Sequence, residues 1–269
     1  MKYFNAIQRC EIGIDLKDHI MKTKYRLTLL MLLVPALFTG TALASDKEAI
    51  IATVMSLTPQ DVAIIEQHAQ SGDAKAQTVL GMTYALGKAT SQNDAEAAKW
   101  YRKAAEKGFT VAQYELGIAY DNGKGLKKNY VEAVKWYRKA AEQGFIEAQT
   151  NLGYAYEKGQ GVKQNYAESI KWYQKAAEKG SLDAQFNLGL LYINGKGMTP
   201  DIATAYMWFS LVASDGDPQA MKNVAQLKQR MTPGQLAQAR DKIAEWQQKN
   251  PKPVAPPLQP EEGGPTIFL

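Results

Sequence analysis

The sequence has few of the side chains that most catalytic sites use. Its 269 residues include one cysteine, Cys10, and two histidines, His19 and His68. Cys10 precedes the segment that we expect to be the start of the mature chain, so no disulfide, thiolate or cysteine metal ligand is expected there. A catalytic triad or zinc site would need His68, whose neighbours do not supply convergent partners, so it is interpreted as a capping or packing residue. The sequence predicts no enzyme, no catalytic residue, no bound metal and no cofactor.

The chain also lacks a strong charge of one sign. Its formal net charge is +5, but the first 44 residues hold six of the 32 basic and three of the 27 acidic groups, which leaves 26 against 24. A nearly balanced chain with interspersed signs gives no electrostatic argument for nucleic acid as a partner.

Long apolar runs are confined to the first 44 residues. Met21–Ala44 has a basic start, an apolar core and small residues at its end, a pattern typical of a secretory signal peptide. We expect cleavage before Ser45, no stable membrane span afterwards, and residues 1–20 to be an over-extended start before a second methionine. An uncleaved membrane anchor is the alternative. An exported protein, periplasmic or extracellular, is the prediction.

A 36-residue unit recurs in strict register through the middle of the chain, which indicates a repeat architecture. The aligned positions are Gly72, Gly108, Gly144, Gly180 and Gly216; Leu80, Leu116, Leu152 and Leu188; Tyr84, Tyr120, Tyr156 and Tyr192; and Trp100, Trp136, Trp172 and Trp208. Each unit predicts two helices separated by a glycine turn. Ala89 replaces the second turn glycine in the first copy, so we expect a different turn there. The repeated Gly-Lys-Gly suggests a phosphate loop, but its position at helix ends favours turn chemistry.

The second helix of each unit begins at an aligned Asn or Asp. Asn93, Asn129 and Asn165 are each followed three residues later by glutamate, which predicts a capping box, and Thr204 breaks the pattern in the fourth copy. The repeated tryptophans and alanines form the apolar stripe of this helix, which one unit cannot bury by itself. Stacking against the next unit would bury it.

The predicted organisation has five parts. It consists of the N-terminal extension and signal peptide at 1–44 (signal 21–44), an N-terminal helical half-repeat at 45–71, four repeats at 72–107, 108–143, 144–179 and 180–215, C-terminal capping helices at 216–249, and a proline-rich disordered tail at 250–269.

The repeated motif resembles that of the Sel1-like repeat family, a branch of the tetratricopeptide-like superfamily. The resemblance depends on A-Q-x-x-L-G-x-x-Y from Ala112 to Tyr120, Gly123 and Gly125, and A-x-x-W-Y-x-x-A-A-x-x-G from Ala133 to Gly144. It implies an all-α, right-handed α/α superhelical solenoid that serves as a scaffold for protein recognition. Some secreted members carry two cysteines per repeat, a feature that this chain lacks.

A row of variable positions on the first helices is the candidate partner site. The aligned residues are Thr78, Tyr114, Thr150 and Phe186, and four residues later Met82, Ile118, Tyr154 and Leu190. The resemblance places first helices along a concave groove, where an apolar strip would suit a peptide or helix. We expect Tyr114, Ile118, Tyr154, Phe186 and Leu190 to contact a partner. The alternative, that this row packs in the core, stays open.

The sequence therefore predicts a non-enzymatic, exported scaffold with a protein or peptide partner, and a Gram-negative periplasm is an implication of the resemblance. The alternative functions are a cell-envelope hydrolase and a protein that binds peptidoglycan or another glycan. A hydrolase would need His68 or a carboxylate pair in a deep pocket, and a glycan binder would expose the repeated tryptophans. A third reading, an assembly factor for another envelope protein, differs by partner rather than mechanism.

Overall fold

The computed structural model describes residues 43–251, and over this range it contains helices and turns but no strands. Residues 1–42, which hold most of the predicted signal peptide, and most of the predicted disordered tail, at 252–269, lie outside the described residues. The twelve helices are α1 Leu43–Met55, α2 Pro59–Gln70, α3 Ala74–Leu86, α4 Asp94–Glu106, α5 Thr110–Asn122, α6 Tyr130–Glu142, α7 Ile146–Lys158, α8 Tyr166–Glu178, α9 Leu182–Asn194, α10 Ile202–Ala213, α11 Pro218–Arg230 and α12 Pro233–Lys249.

The helices form a solenoid of helix-turn-helix repeats, and the chain divides after Lys128 into two compact units. In unit 1, consecutive helices from α2 through α5 pack against one another, and α1 packs on α3. In unit 2, consecutive helices from α6 through α11 pack against one another, and α12 packs on α10. The all-α repeat fold predicted from the 36-residue period is confirmed.

Buried side chains join each first helix to the second helix that precedes it. Gln77 and Gln113 donate side-chain hydrogen bonds to the carbonyls of Ala69 and Ala105 in unit 1, at 2.9 and 3.2 Å. Gln149 and Gln185 do the same for Ala141 and Ala177 in unit 2, at 3.0 and 3.3 Å. Each of these carbonyls, which lie at helix ends, also accepts a hydrogen bond from the amide of the glycine after the helix, so the glutamine is a second donor.

The repeated aromatic residues fill the space between helices. The indoles of Trp100, Trp136, Trp172 and Trp208 are all buried, as a structural role predicts. In unit 2, Trp208 packs edge-on against Trp246 of α12, with ring centroids 4.6 Å apart. The last helix therefore covers the last repeated tryptophan, as the terminal element of a stacked array must.

Helix starts follow the sequence prediction only in part. The Asn93 side chain accepts hydrogen bonds from the amides of Ala95 and Glu96 at 3.1 Å, so the cap itself is confirmed. The reciprocal half of the predicted capping box is wrong, because the Asn93 amide donates to the Tyr84 carbonyl at 2.9 Å. Glu96 instead forms an ion pair with Lys99 at 3.2 Å.

The expected difference at Ala89 is also wrong. Ala89 has a φ of 58°, in the same left-handed region as Gly125 at 66°. An alanine side chain is small, so the chain repeats the turn at the cost of about 1–2 kcal/mol of backbone strain.

Gly161 tests whether close backbone packing, in addition to left-handed conformation, requires glycine in the turn. Its φ is +70°, and an added Cβ would lie 2.1 Å from the Tyr130 carbonyl oxygen. Gly180 has a φ of +90° with open space around it, so it is a matched control. We expect Gly180→Ala to lower the free energy of unfolding by about 1–2 kcal/mol and Gly161→Ala to lower it by about 3 kcal/mol or more. Equal losses in urea denaturation would contradict this packing argument.

Candidate interaction surface on the first helices

The variable row of the first helices is divided between the two units and has a different environment in each. Unit 1 contains its members on α3 and α5, and unit 2 contains its members on α7 and α9. Because the repeat places these positions at equivalent points of each first helix, exposure can be compared at the same position in different copies.

In unit 1 the row is covered by α1. Thr78, Met82 and Tyr114 are buried, Tyr114 with 8 % of its surface exposed, and Ile118 is half-buried. Lys47 of α1 has its ammonium group 4.5 Å from the centre of the Tyr114 ring and 3.1 Å from the Glu115 carboxylate. Tyr114 and Ile118 therefore lie in a surface that the chain itself already occupies in part.

In unit 2 the row includes exposed apolar groups. We call Thr150, Tyr154, Phe186 and Leu190 the unit-2 strip. Tyr154 has 45 % and Leu190 has 38 % of its surface exposed, and they occupy the same repeat position on helices α7 and α9, which pack together. Phe186 is half-buried and meets Phe209 edge-on, with ring centroids 5.2 Å apart.

The polar side chains beside Tyr154 are ordered by hydrogen bonds. Lys158 pairs with Glu157 at 2.5 Å, and its ammonium group lies 5.5 Å from the centre of the Tyr154 ring. Glu157 also accepts a hydrogen bond from the Tyr173 hydroxyl at 3.1 Å. The hydrogen bond to Glu157 raises the pKa of Lys158, and burial followed by the charge of Glu157 raises the pKa of Tyr173. Both side chains therefore keep their protons at neutral pH.

Two acidic residues precede the exposed apolar pair by seven residues each. Glu147 precedes Tyr154 on α7, and Asp183 precedes Leu190 on α9. Seven residues are close to two helical turns, so each acid lies on the same side of its helix as the apolar residue. Asp183 is exposed, while Glu147 Oε2 is buried and has no hydrogen-bond partner among the described residues.

The described part of the chain offers little to an acid–base or metal-dependent reaction. His68 is exposed near the end of α2. An open depression of about 580 Å³ in unit 2 is lined by Tyr156, Val162, Lys163, Gln164 and Asn165, with neither carboxylate nor histidine. Residues 43–251 contain no cluster of His, Cys, Asp or Glu suited to a metal ion. Within the same range no helix is both long and apolar enough to cross a bilayer.

Sequence reasoning did not identify α1 as the cover of the row in unit 1. The available signal was the spacing of Lys47, Ile50 and Val54, at i, i+3 and i+7, which places them on one side of a helix. That signal shows an amphipathic helix but does not show where the helix docks, because α1 lacks the repeat motif.

Comparison with known families and structures identifies the repeats. The Sel1 repeat family matches residues 74–109, 110–145, 146–181 and 182–217, which together make up more than half of the chain. These segments begin two residues after those we assigned, since the start of a unit in a periodic array is a convention. Among proteins of curated function, none matches this chain.

Two solved structures are similar in sequence and fold. One is c5321, a protective antigen of uropathogenic Escherichia coli with an SLR fold, which is 39% identical with a TM-score of 0.62 over 70% of this chain. The match covers 40% of the E. coli protein, so this chain corresponds to less than half of that relative's length. The other is a Sel1 repeat protein from Oxalobacter formigenes, 36% identical with a TM-score of 0.57, covering 67% of this chain and 73% of that one.

Sequence period, helix pairing and these matches agree. The chain belongs to the Sel1 repeat family.

Proposed function

We propose that this protein is a non-catalytic, exported scaffold that binds a protein partner through the unit-2 strip. Sel1 repeat proteins are generally scaffolds for protein interaction. The proposal for this chain depends above all on one observation, the adjacent exposed side chains of Tyr154 and Leu190 on packed helices. Buried aromatic and aliphatic anchors contribute much of the binding free energy at protein interfaces.

The alternative functions have weaker support. A hydrolase would need a histidine or carboxylate pair in a deep pocket, and the open depression between α7 and α8 has neither. A glycan-binding protein would present aromatic faces to sugar rings, but the four repeated indoles are buried between helices. These observations favour a binding surface for protein over either alternative.

Export is supported by the sequence of residues 21–44. A basic start, an apolar core and a small-residue end are the features that a signal peptidase recognises. Cleavage after Ala44 would remove two residues of α1 and keep Lys47, Ile50 and Val54, so the contacts of α1 with unit 1 are compatible with processing.

Export is tested by N-terminal sequencing of the protein expressed with its full leader in a Gram-negative host. We expect a single product in the periplasmic fraction that begins at Ser45. A product retaining residues 21–44 in the membrane fraction would support the anchor alternative. Replacing the apolar core of the leader with polar residues is the control and should retain the precursor in the cytoplasm.

Tyr114 and Tyr154 lie in the first-helix rows of different units. The difference between their environments can be measured as a difference in the free energy of unfolding. Tyr114 is buried under α1, whereas Tyr154 is exposed. We expect Tyr114→Ala to lower the free energy of unfolding by about 2–4 kcal/mol, as large-to-small substitution of buried groups does. Tyr154→Ala should change it by about 0.5 kcal/mol or less, as for most surface substitutions. A large loss at Tyr154 in urea denaturation would mean that this side chain serves packing.

The binding role is tested by placing a photo-crosslinking residue at position 190, and at position 131 as a control. Val131 is 63 % exposed but lies on α6, outside the first-helix row. We expect cross-linking from position 190 to one protein in the native envelope, and not from position 131. The purified partner should bind at least tenfold more weakly to Tyr154→Ala plus Leu190→Ala, which corresponds to about 1.4 kcal/mol. Unchanged affinity, or equal cross-linking from both positions, would reject the strip as the site.

A further inference from the structure

The contact between α1 and unit 1 shows what kind of element the first-helix row can hold. Ile50 and Val54 are buried, with 2 % and 0 % of their surfaces exposed, while Ile51 and Met55 on the other side are exposed. Lys47 lies on the same side as the buried pair and meets Glu115 and the Tyr114 ring. The amphipathic helix α1 is therefore held on unit 1 by one lysine and two buried aliphatic side chains.

The helix α1 reaches two neighbouring first helices. It packs on α3, and its lysine contacts residues of α5. Lys47 and Val54 are seven residues apart, which is about 10.5 Å along a helix. A short helix of about two turns is therefore long enough to engage two first helices of this repeat.

The unit-2 strip offers exposed apolar surface, but Asn151 and Asn187 occupy the repeat position of Glu115, so negative charge beside it comes from another position. Tyr154 and Leu190 provide exposed apolar surface on the packed first helices α7 and α9. Asp183 provides exposed negative charge on α9, two helical turns before Leu190. An exposed carboxylate beside an apolar surface favours a partner with a basic group at the matching point, because complementary charges orient the two surfaces.

We propose that the unit-2 strip binds an amphipathic α-helix of another protein that presents a lysine or arginine and two aliphatic side chains on one side. The basic group meets Asp183, and the aliphatic groups cover Tyr154 and Leu190. The helix thus repeats, from a second protein, the pattern that α1 presents to unit 1. This inference rests on the proposed binding role of the strip and specifies its ligand.

A peptide with the sequence of residues 45–57, labelled at its C-terminus, is the probe. It is titrated into the full chain beginning at Ser45 and followed by fluorescence anisotropy. We expect saturable binding, at least tenfold weaker for the Ile50→Asp plus Val54→Asp peptide. The Ile51→Asp plus Met55→Asp peptide should bind within about threefold of the parent, because it changes the opposite side of the helix by the same charge.

Chain variants then locate the binding site. Leu190→Asp should weaken binding of the parent peptide at least tenfold, and Val131→Asp should leave it unchanged, with folding of both checked by circular dichroism. If Leu190→Asp does not fold, the affinity of the peptide for Tyr154→Ala provides a second test of the site. If the peptide instead displaced α1 from unit 1, its affinity would be the same for the parent chain and for both strip variants. This result would overturn the proposal.

Two further results separate this inference from the proposed function. If position 190 cross-links a partner but that partner's contact segment is not helical, and the peptide does not bind, the helix class is wrong and the binding role of the strip stands. If sedimentation shows a dimer of the full chain that Leu190→Asp dissociates, the occupant is α1 of a second copy, and the proposal of a different protein is overturned.

Discussion

The structure depends on burying the end of each second helix against the first helix that follows it. A helix end has carbonyls without intrahelical partners, and burial removes the water that would otherwise satisfy them. In each unit a buried glutamine side chain donates to such a carbonyl, as Gln113 does to Ala105 and Gln185 does to Ala177. The bond links the two helices at the same point in every copy, beside the buried tryptophans, tyrosines and alanines.

This arrangement leaves some positions of the first helices exposed, where the side chain does not contribute to stacking. Leu116 and Leu152, which the repeat keeps constant, are fully buried, whereas Tyr154 and Leu190 are exposed at a position that changes from one repeat to the next. A surface built on packed helices is rigid, so side chains placed there lose little freedom when a partner binds. The residues that stack the repeats are therefore separate from the exposed residues of the proposed binding surface.

The helix α1 packs on α3, where Thr78 and Met82 of the first-helix row are buried, and pairs Lys47 with Glu115 of α5. In unit 1 the row is therefore largely part of the core. The contact also shows that the first-helix row accepts a helix, which is the physical basis for the partner class inferred for unit 2. One type of surface is thus covered by α1 in unit 1 and includes exposed apolar residues in unit 2.

The sequence by itself determined the repeat, its two helices, the Asn caps and the buried tryptophans, because each follows from local periodicity or from turn chemistry. It also indicated the variable row that includes Tyr154 and Leu190. Only the tertiary structure decided which members of that row are covered, since α1 carries no repeat motif and its docking depends on contacts distant in sequence, such as Lys47 with Glu115. The missing capping-box bond at Asn93 has the same cause, because its amide is taken by the Tyr84 carbonyl of the preceding helix, a partner that no local pattern specifies.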